Sequence, residues 1–263
     1  MIMGGGAAGA WITPKLVELG YDCRVALALM GVPTLFAMVA AMAVLTNTCC
    51  VQPDPTLTGR LLRRPRTWAL MVAFGLVNGG YASLVAWLAP FYQSMGWTAT
   101  ANGSLVAAMA IAQAFAALAV PFLARRSLDR RPWLFATLLM QGVGFAGLAF
   151  LPMAAPFVWA VVCGAGLAAS FALAIVTALD HLPVADQVGT LAALMQGGGF
   201  LIAAFAPYEM ALLIEGSGGF VDGWVMHLIF VAMTAALYLQ FDPKRYAEVM
   251  NSAAPGTQSN FHR

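Results

Sequence analysis

The charged residues of this chain stand far apart, and the gaps between them constrain what it can fold into. Twenty-nine uncharged residues separate Arg24 from Asp54, 58 separate Arg66 from Arg125, and 48 separate Arg131 from Asp180. Two shorter gaps follow, of 22 residues between Asp186 and Glu209 and 19 between Asp222 and Asp242. A hydrocarbon core about 30 Å thick is crossed by about 20 helical residues, so the gaps hold one, two, two, one and one crossings. Turn-forming sequence divides the two long gaps: FYQSMGWTAT (91–100) in the first and the prolines of LPMAAP (151–156) in the second. This predicts seven spans, near 26–46, 68–90, 101–124, 133–151, 156–179, 188–210 and 223–241.

Composition agrees. Charged residues are 9% of the chain and hydrophobic ones 61%, whereas soluble domains carry about a quarter charged. Strands of a membrane barrel alternate polar and apolar residues, and runs such as VAAMAIAQAFAALAV (106–120) do not. The expected fold class is an all-α polytopic membrane protein, with the lipid bilayer as its first partner. A net charge of +2 is too small to suggest nucleic acid. Cys23, Cys49, Cys50 and Cys163 have neither metal nor redox spacing. No GxxxxGK phosphate loop is present. No metal and no cofactor are expected.

Eleven of the thirteen Lys and Arg residues fall in one alternating set of connections: 47–67, 125–132, 180–187 and the segment after 242. Only Lys15 and Arg24 fall in the other. Cytoplasmic loops are the ones enriched in Lys and Arg, so the first set reads as cytoplasmic and the C-terminus as inside. The opening MIMGGGAAGAWITP lacks the positive charge that precedes the apolar core of a signal peptide. Its fourteen residues reach about 21 Å at ~1.5 Å each, too short to cross. In this topology Met1 would lie at bilayer depth, where a charged amine costs several kcal/mol, so the first helix reads as cut through.

Polar groups near mid-depth are the default functional candidates in a membrane. Asn78 and Tyr81 lie three apart on one face of 68–90, Gln113 is central in 101–124, Ser170 is near the centre of 156–179, and Gln196 lies in 188–210. Each has a plainer role available, a hydrogen bond to a neighbouring helix worth about 0.6–2 kcal/mol. Trp87, Tyr92 and Trp97 suit interfacial anchoring, though Trp87 could also roof a cavity. Glu209 is a rim carboxylate, or a proton-coupling group if it lies deep enough. Gln141 and His227 read as structural. Small-residue pairs, Gly75 with Gly79 and those in GVGFAG (142–147), favour close helix packing. No Lys or Arg lies inside any expected span.

The connection NTCCVQPDPTLTGRLLRRPRT (47–67) is long, turns basic and precedes six spans. That arrangement resembles the middle of a major facilitator superfamily transporter. PFLARRSLDRR (121–131) sits where the superfamily has Gly-x-Leu-x-Asp-Arg-x-Gly-Arg-Arg between its eighth and ninth helices. Pro121, Arg125 and Leu128 replace its first glycine, its acid and its second glycine, so only the leucine and the basic part survive, with Arg126, Arg130 and Arg131, while Asp129 precedes the next helix. AWLAPFYQSMGWTATANGSLVAAMAIAQAFAALAVPFLARR (86–126) and MQGGGFLIAAFAP (195–207) resemble helices seven, eight and eleven of the cyanate permease and nitroimidazole transporter branch. GAWITPKLVELGYDCRVALALMGVPTLFAMVAAMAV (9–44) is similar to the end of helix five and to helix six.

The resemblance implies an N-terminally truncated transporter spanning about helices 5 to 12, in four parts. These are a remnant of the N-terminal half (1–46), a basic cytoplasmic linker (47–67), a C-terminal six-helix bundle (68–241) and a cytoplasmic tail (242–263). It implies alternating-access transport of a small solute across the inner membrane, with Asn78, Tyr81, Gln113, Ser170, Gln196 and Trp87 as solute-site candidates. For a cyanate-like anion the countercharge would come from helix ends or from other helices. A half-transporter subunit, inactive or completed by a separately encoded N-terminal half, is the alternative. An intramembrane enzyme would have only Ser170 and His227 to work with, and no two acids share a span.

Overall fold

The computed structural model of the chain describes residues 12–13, 15–16, 19–20, 22–44, 55–127, 129–181 and 185–242. The glycine-rich opening, the Cys49–Cys50 pair, Leu128 and the polar tail lie outside the described residues. Within them the regular elements are α-helices: α1 (Cys23–Val44), α2 (Pro55–Leu62), α3 (Pro65–Ser94), α4 (Ala99–Ala124) and α5 (Arg131–Phe150) come first. Then come α6 (Pro156–Leu179), α7 (Ala185–Ala203), α8 (Ala206–Ser217) and α9 (Val221–Leu239).

Among the described residues, six stretches are long and apolar enough to cross a membrane: α3, α4, α5, α6, Gln187–Ser217 and α9. Ahead of them, α1 is a 22-residue helix at the place of the first expected span. The starts follow local chemistry. Prolines stand in the first turns of α3, α5, α6 and α8, where a missing N–H leaves no hydrogen bond unmade. The Thr98 hydroxyl accepts from the Ala101 N–H at 3.2 Å and caps α4. On α4, Ile111, Phe115, Leu118 and Phe122 are all more than half exposed, and their spacing places them on one face. That apolar face suits lipid, and the chain is a multi-pass membrane protein.

Three features differ from the sequence expectation. Helices α3 and α5 begin at Pro65 and Arg131 rather than 68 and 133, so Arg66 and Arg131 sit in first turns, and Arg66 is buried. The expected span 188–210 is two helices that run on to Ser217, broken at Ala204–Phe205. Pro207 has no N–H to extend the hydrogen-bonding of α7, and α8 restarts around it. The connection 47–67 is not all loop, because α2 lies inside it.

The bundle packs α6 against both α4 and α5, α3 against α7, and α9 against α5 and α3. Glycine permits the tightest contacts. A Cβ at Gly144 on α5 would lie 2.3 Å from the Cβ of Cys163 on α6, and one at Gly75 on α3 would lie 2.9 Å from the Gly199 carbonyl of α7.

Candidate functional site

The polar candidates stand at several helix junctions. On α3, Asn78 is buried and its Nδ2 donates to the Phe74 carbonyl one turn earlier at 2.8 Å. Tyr81 is half-buried against the core. Trp87, two turns on, donates from Nε1 to the Pro207 carbonyl at 3.1 Å, and its ring meets Phe220 edge-on at 6.1 Å. Trp87 thus ties α3 to the restart of the broken helix.

Gln113 on α4 is 1% exposed, and its Nε2 has no hydrogen-bond partner. Gly164 on α6 leaves the space it fills: a Cβ there would lie 3.4 Å from that nitrogen and 2.5 Å from the Cγ of Met109. A buried donor left unmade costs about 1–3 kcal/mol, so this amide is a group a ligand could satisfy. Ser170 on α6 is fully buried, with its hydroxyl 3.4 Å from that of Tyr238 on α9. Gln196 on α7 is half-buried.

Glu209 is exposed in the first turn of α8. It borders a crevice of about 350 Å³ whose walls include Gly75, Ile202, Phe205 and Phe230. It also borders an open groove of about 590 Å³ between α8 and α9, which reaches Asp222.

The charged loop between α4 and α5 organises one end of the bundle. Arg125 lies 4.0 Å above the Phe122 ring, and Arg126 is exposed. Asp129 accepts from the Arg131 backbone N–H at 2.9 Å and from its guanidinium at 2.8 Å. That contact holds the Asp129 carboxyl below the usual range. Arg131 also reaches Asp242 at 3.7 Å. Arg130 bridges to Asp180 at 3.1 Å and donates to the Ala124 carbonyl.

Sequence reasoning missed two features. The Arg66 guanidinium donates from Nε to His181 Nε2 at 3.1 Å and from Nη1 to the Gln240 carbonyl at 2.6 Å, and it lies 4.3 Å from the Phe241 ring centre. His181 in turn bonds the Thr177 carbonyl through Nδ1 at 2.6 Å. With Nδ1 as donor and Nε2 as acceptor the imidazole is neutral. Burial, opposed by the Thr177 bond and aided by the Arg66 charge, pushes its pKa down to about 4. This clasp joins α3, α6 and α9, and the only sequence signal was that Arg66, alone of its basic cluster, follows the helix-starting proline. The second feature is His227 on α9, fully buried, stacked on Phe145 at 5.0 Å, with neither ring nitrogen hydrogen-bonded. Tyr92 also departs from expectation. It is buried rather than at the lipid interface, and its hydroxyl donates to the Pro152 carbonyl at 3.0 Å.

The sequence profile of the Major Facilitator Superfamily matches residues 1–207. The chain belongs to that superfamily. It is 41% identical over 249 residues to the cyanate transport protein CynX of Escherichia coli (strain K12), an alignment covering 94% of this chain and 65% of that protein. It is 27% identical over 184 residues to the 2-nitroimidazole transporter of the same organism, covering 70% of this chain and 46% of the transporter. The chain therefore spans about two thirds of one relative's length and less than half of the other's. Among solved structures, a bacterial homologue of the human lysosomal transporter Spinster, inward-facing and unoccupied, superposes with a TM-score of 0.66 at 14% identity. That superposition covers 94% of this chain and 68% of the homologue and supports the fold.

Proposed function

We propose that the chain forms the membrane-embedded body of a secondary active transporter that carries a small solute by alternating access, with a cyanate-like anion as the leading solute. The observation that carries this reading is the 41% identity, along 94% of the chain, to a protein named for cyanate transport. The unpartnered Gln113 amide supports it, because a small anion in a site without Lys or Arg must be met by neutral N–H donors.

In this reading Asn78, Tyr81, Gln113, Ser170, Gln196 and Trp87 contribute to the solute site, and Trp87 also holds the broken helix in place. Glu209 is the candidate for proton coupling. Residues 68–241 act as one six-helix half, 47–67 as the linker and 1–46 as part of the other half. Helices beyond this chain, on a longer polypeptide or on a separately encoded partner, complete the path. The basic end faces the cytoplasm of an inner membrane, with the C-terminus on that side. The chain moves its solute without breaking a bond. Ser170 faces Tyr238 and His227 is stacked on Phe145, so the two do not form a nucleophile–base pair.

Thermal unfolding of the purified chain with and without cyanate tests the reading. Ligand at 100 times its Kd stabilises by about 2.7 kcal/mol, so cyanate should raise Tm by several degrees, and Gln113→Ala should abolish the shift. No shift with cyanate, or an equal shift in Gln113→Ala, contradicts the assignment.

A further inference from the structure

The foot of α3 carries guanidinium charge that the rest of the basic end does not explain. Arg66, Arg130 and Arg131 are held by protein groups: His181 and the Gln240 carbonyl, Asp180, and Asp129 with Asp242. Arg60, Arg63 and Arg64 have no acidic partner among the described residues. They follow one another along the last turn of α2 and the turn into α3. Arg60 lies close enough to Arg64 for the two like charges to repel.

A helix C-terminus could account for cations there through its free carbonyls. At α2, however, three of those carbonyls are taken by other groups. Gly59 O accepts from the Arg63 N–H at 3.3 Å, Leu61 O from the Arg64 N–H at 3.0 Å, and Leu62 O from Trp68 Nε1 at 2.8 Å. The guanidiniums are left over, and Arg64 Nε is shielded from solvent without a partner.

The platform under these charges is fixed. Leu61 is 1% exposed and Leu57 packs on the core, so α2 is seated against α3 and α7. Trp68 remains 51% exposed with its indole N–H anchored to Leu62 O. An exposed indole beside unpaired arginines at the end of an apolar span is a headgroup-level arrangement.

We propose that Arg60, Arg63 and Arg64, with Trp68, form a binding site for the phosphate of an anionic phospholipid headgroup. The phosphate oxygens accept from the three guanidiniums, and the indole lies against the glycerol and upper acyl region. Partial burial of Arg64 and the nearby Arg60 charge lower the Arg64 pKa, the direction expected of a cation cluster lacking its counter-ion. The site does not depend on the transport reading.

Lipid binding to the purified chain in detergent tests this, read by native mass spectrometry with phosphatidylglycerol against phosphatidylcholine as probes. Wild type should retain phosphatidylglycerol selectively. Arg60→Gln/Arg63→Gln/Arg64→Gln should lose at least tenfold in retention, while Arg125→Gln/Arg126→Gln should bind as wild type. Arg63→Gln alone alters one exposed side chain, keeps the fold, and should cost a few-fold. Equal retention by the triple variant and wild type overturns the site. So does an equal loss in the Arg125/Arg126 control, which would make the effect one of overall charge. Displacement of phosphatidylglycerol by millimolar inorganic phosphate would reassign the site to a free anion and also overturn the proposal.

Discussion

At the scale of single residues, the most constrained group is His181. Its neutral ring is set by two hydrogen bonds of opposite sense, one accepted from Arg66 and one donated to Thr177. Its pKa in the fold is about 4, against an ordinary value of 6.5. Between those values the unfolded chain binds the proton that the folded one refuses, so stability falls as pH drops from 6.5 towards 4 and is flat above 6.5. The loss amounts to at most about 3 kcal/mol. Thermal unfolding from pH 8 to pH 4 should show this slope, and His181→Gln should make it shallower without abolishing it, since an amide can accept from Arg66 and donate to Thr177 at any pH while the buried His227 remains. The same scale sets the limits of reading a sequence. That Asn78, Gln113 and Ser170 are polar groups inside spans was legible. That Asn78 bonds its own helix and Ser170 meets Tyr238 was not, because rotamers and neighbouring helices decide those partners. His227 looked like one more packed polar group, and no pattern in the chain announced that both its nitrogens lack partners.

At the scale of helices, close approach depends on individual glycines. Gly144 and Gly142 are two residues apart on α5 and face different surroundings. A Cβ at Gly144 would sit 2.7 Å from the Cys163 Cα, whereas one at Gly142 would meet only Val231 at 3.8 Å. Gly144→Ala should therefore destabilise by about 1–3 kcal/mol through overpacking. Gly142→Ala should be neutral or gain up to about 1 kcal/mol from helix propensity. Melting temperatures of the two variants, measured side by side, separate packing from propensity. Most helix boundaries were legible, because prolines and uncharged runs mark them directly. The exception is instructive. Glu209 ends an uncharged run, which suggested a span closing near 210, yet the helix restarts at Ala206 and carries that carboxylate at its exposed rim. Likewise Arg66 was counted with the loop, although a proline before it and a buried acceptor opposite draw it into α3.

At the scale of the whole molecule, most of the arginines gather at one end, the outward faces of the spans are apolar, and the interior of the described residues holds amides, hydroxyls and an unpartnered imidazole. That distribution fits a body that moves in lipid around a polar path, and the fold is that of a superfamily of transporters. The measurement that tests this most directly is uptake of labelled cyanate by proteoliposomes containing the chain together with the helices that complete its path, on a longer polypeptide or on a co-purified partner. Uptake should saturate with cyanate concentration and fall at least tenfold in Gln113→Ala. Saturable uptake untouched by Gln113→Ala and Asn78→Ala, or none above empty liposomes, would contradict it.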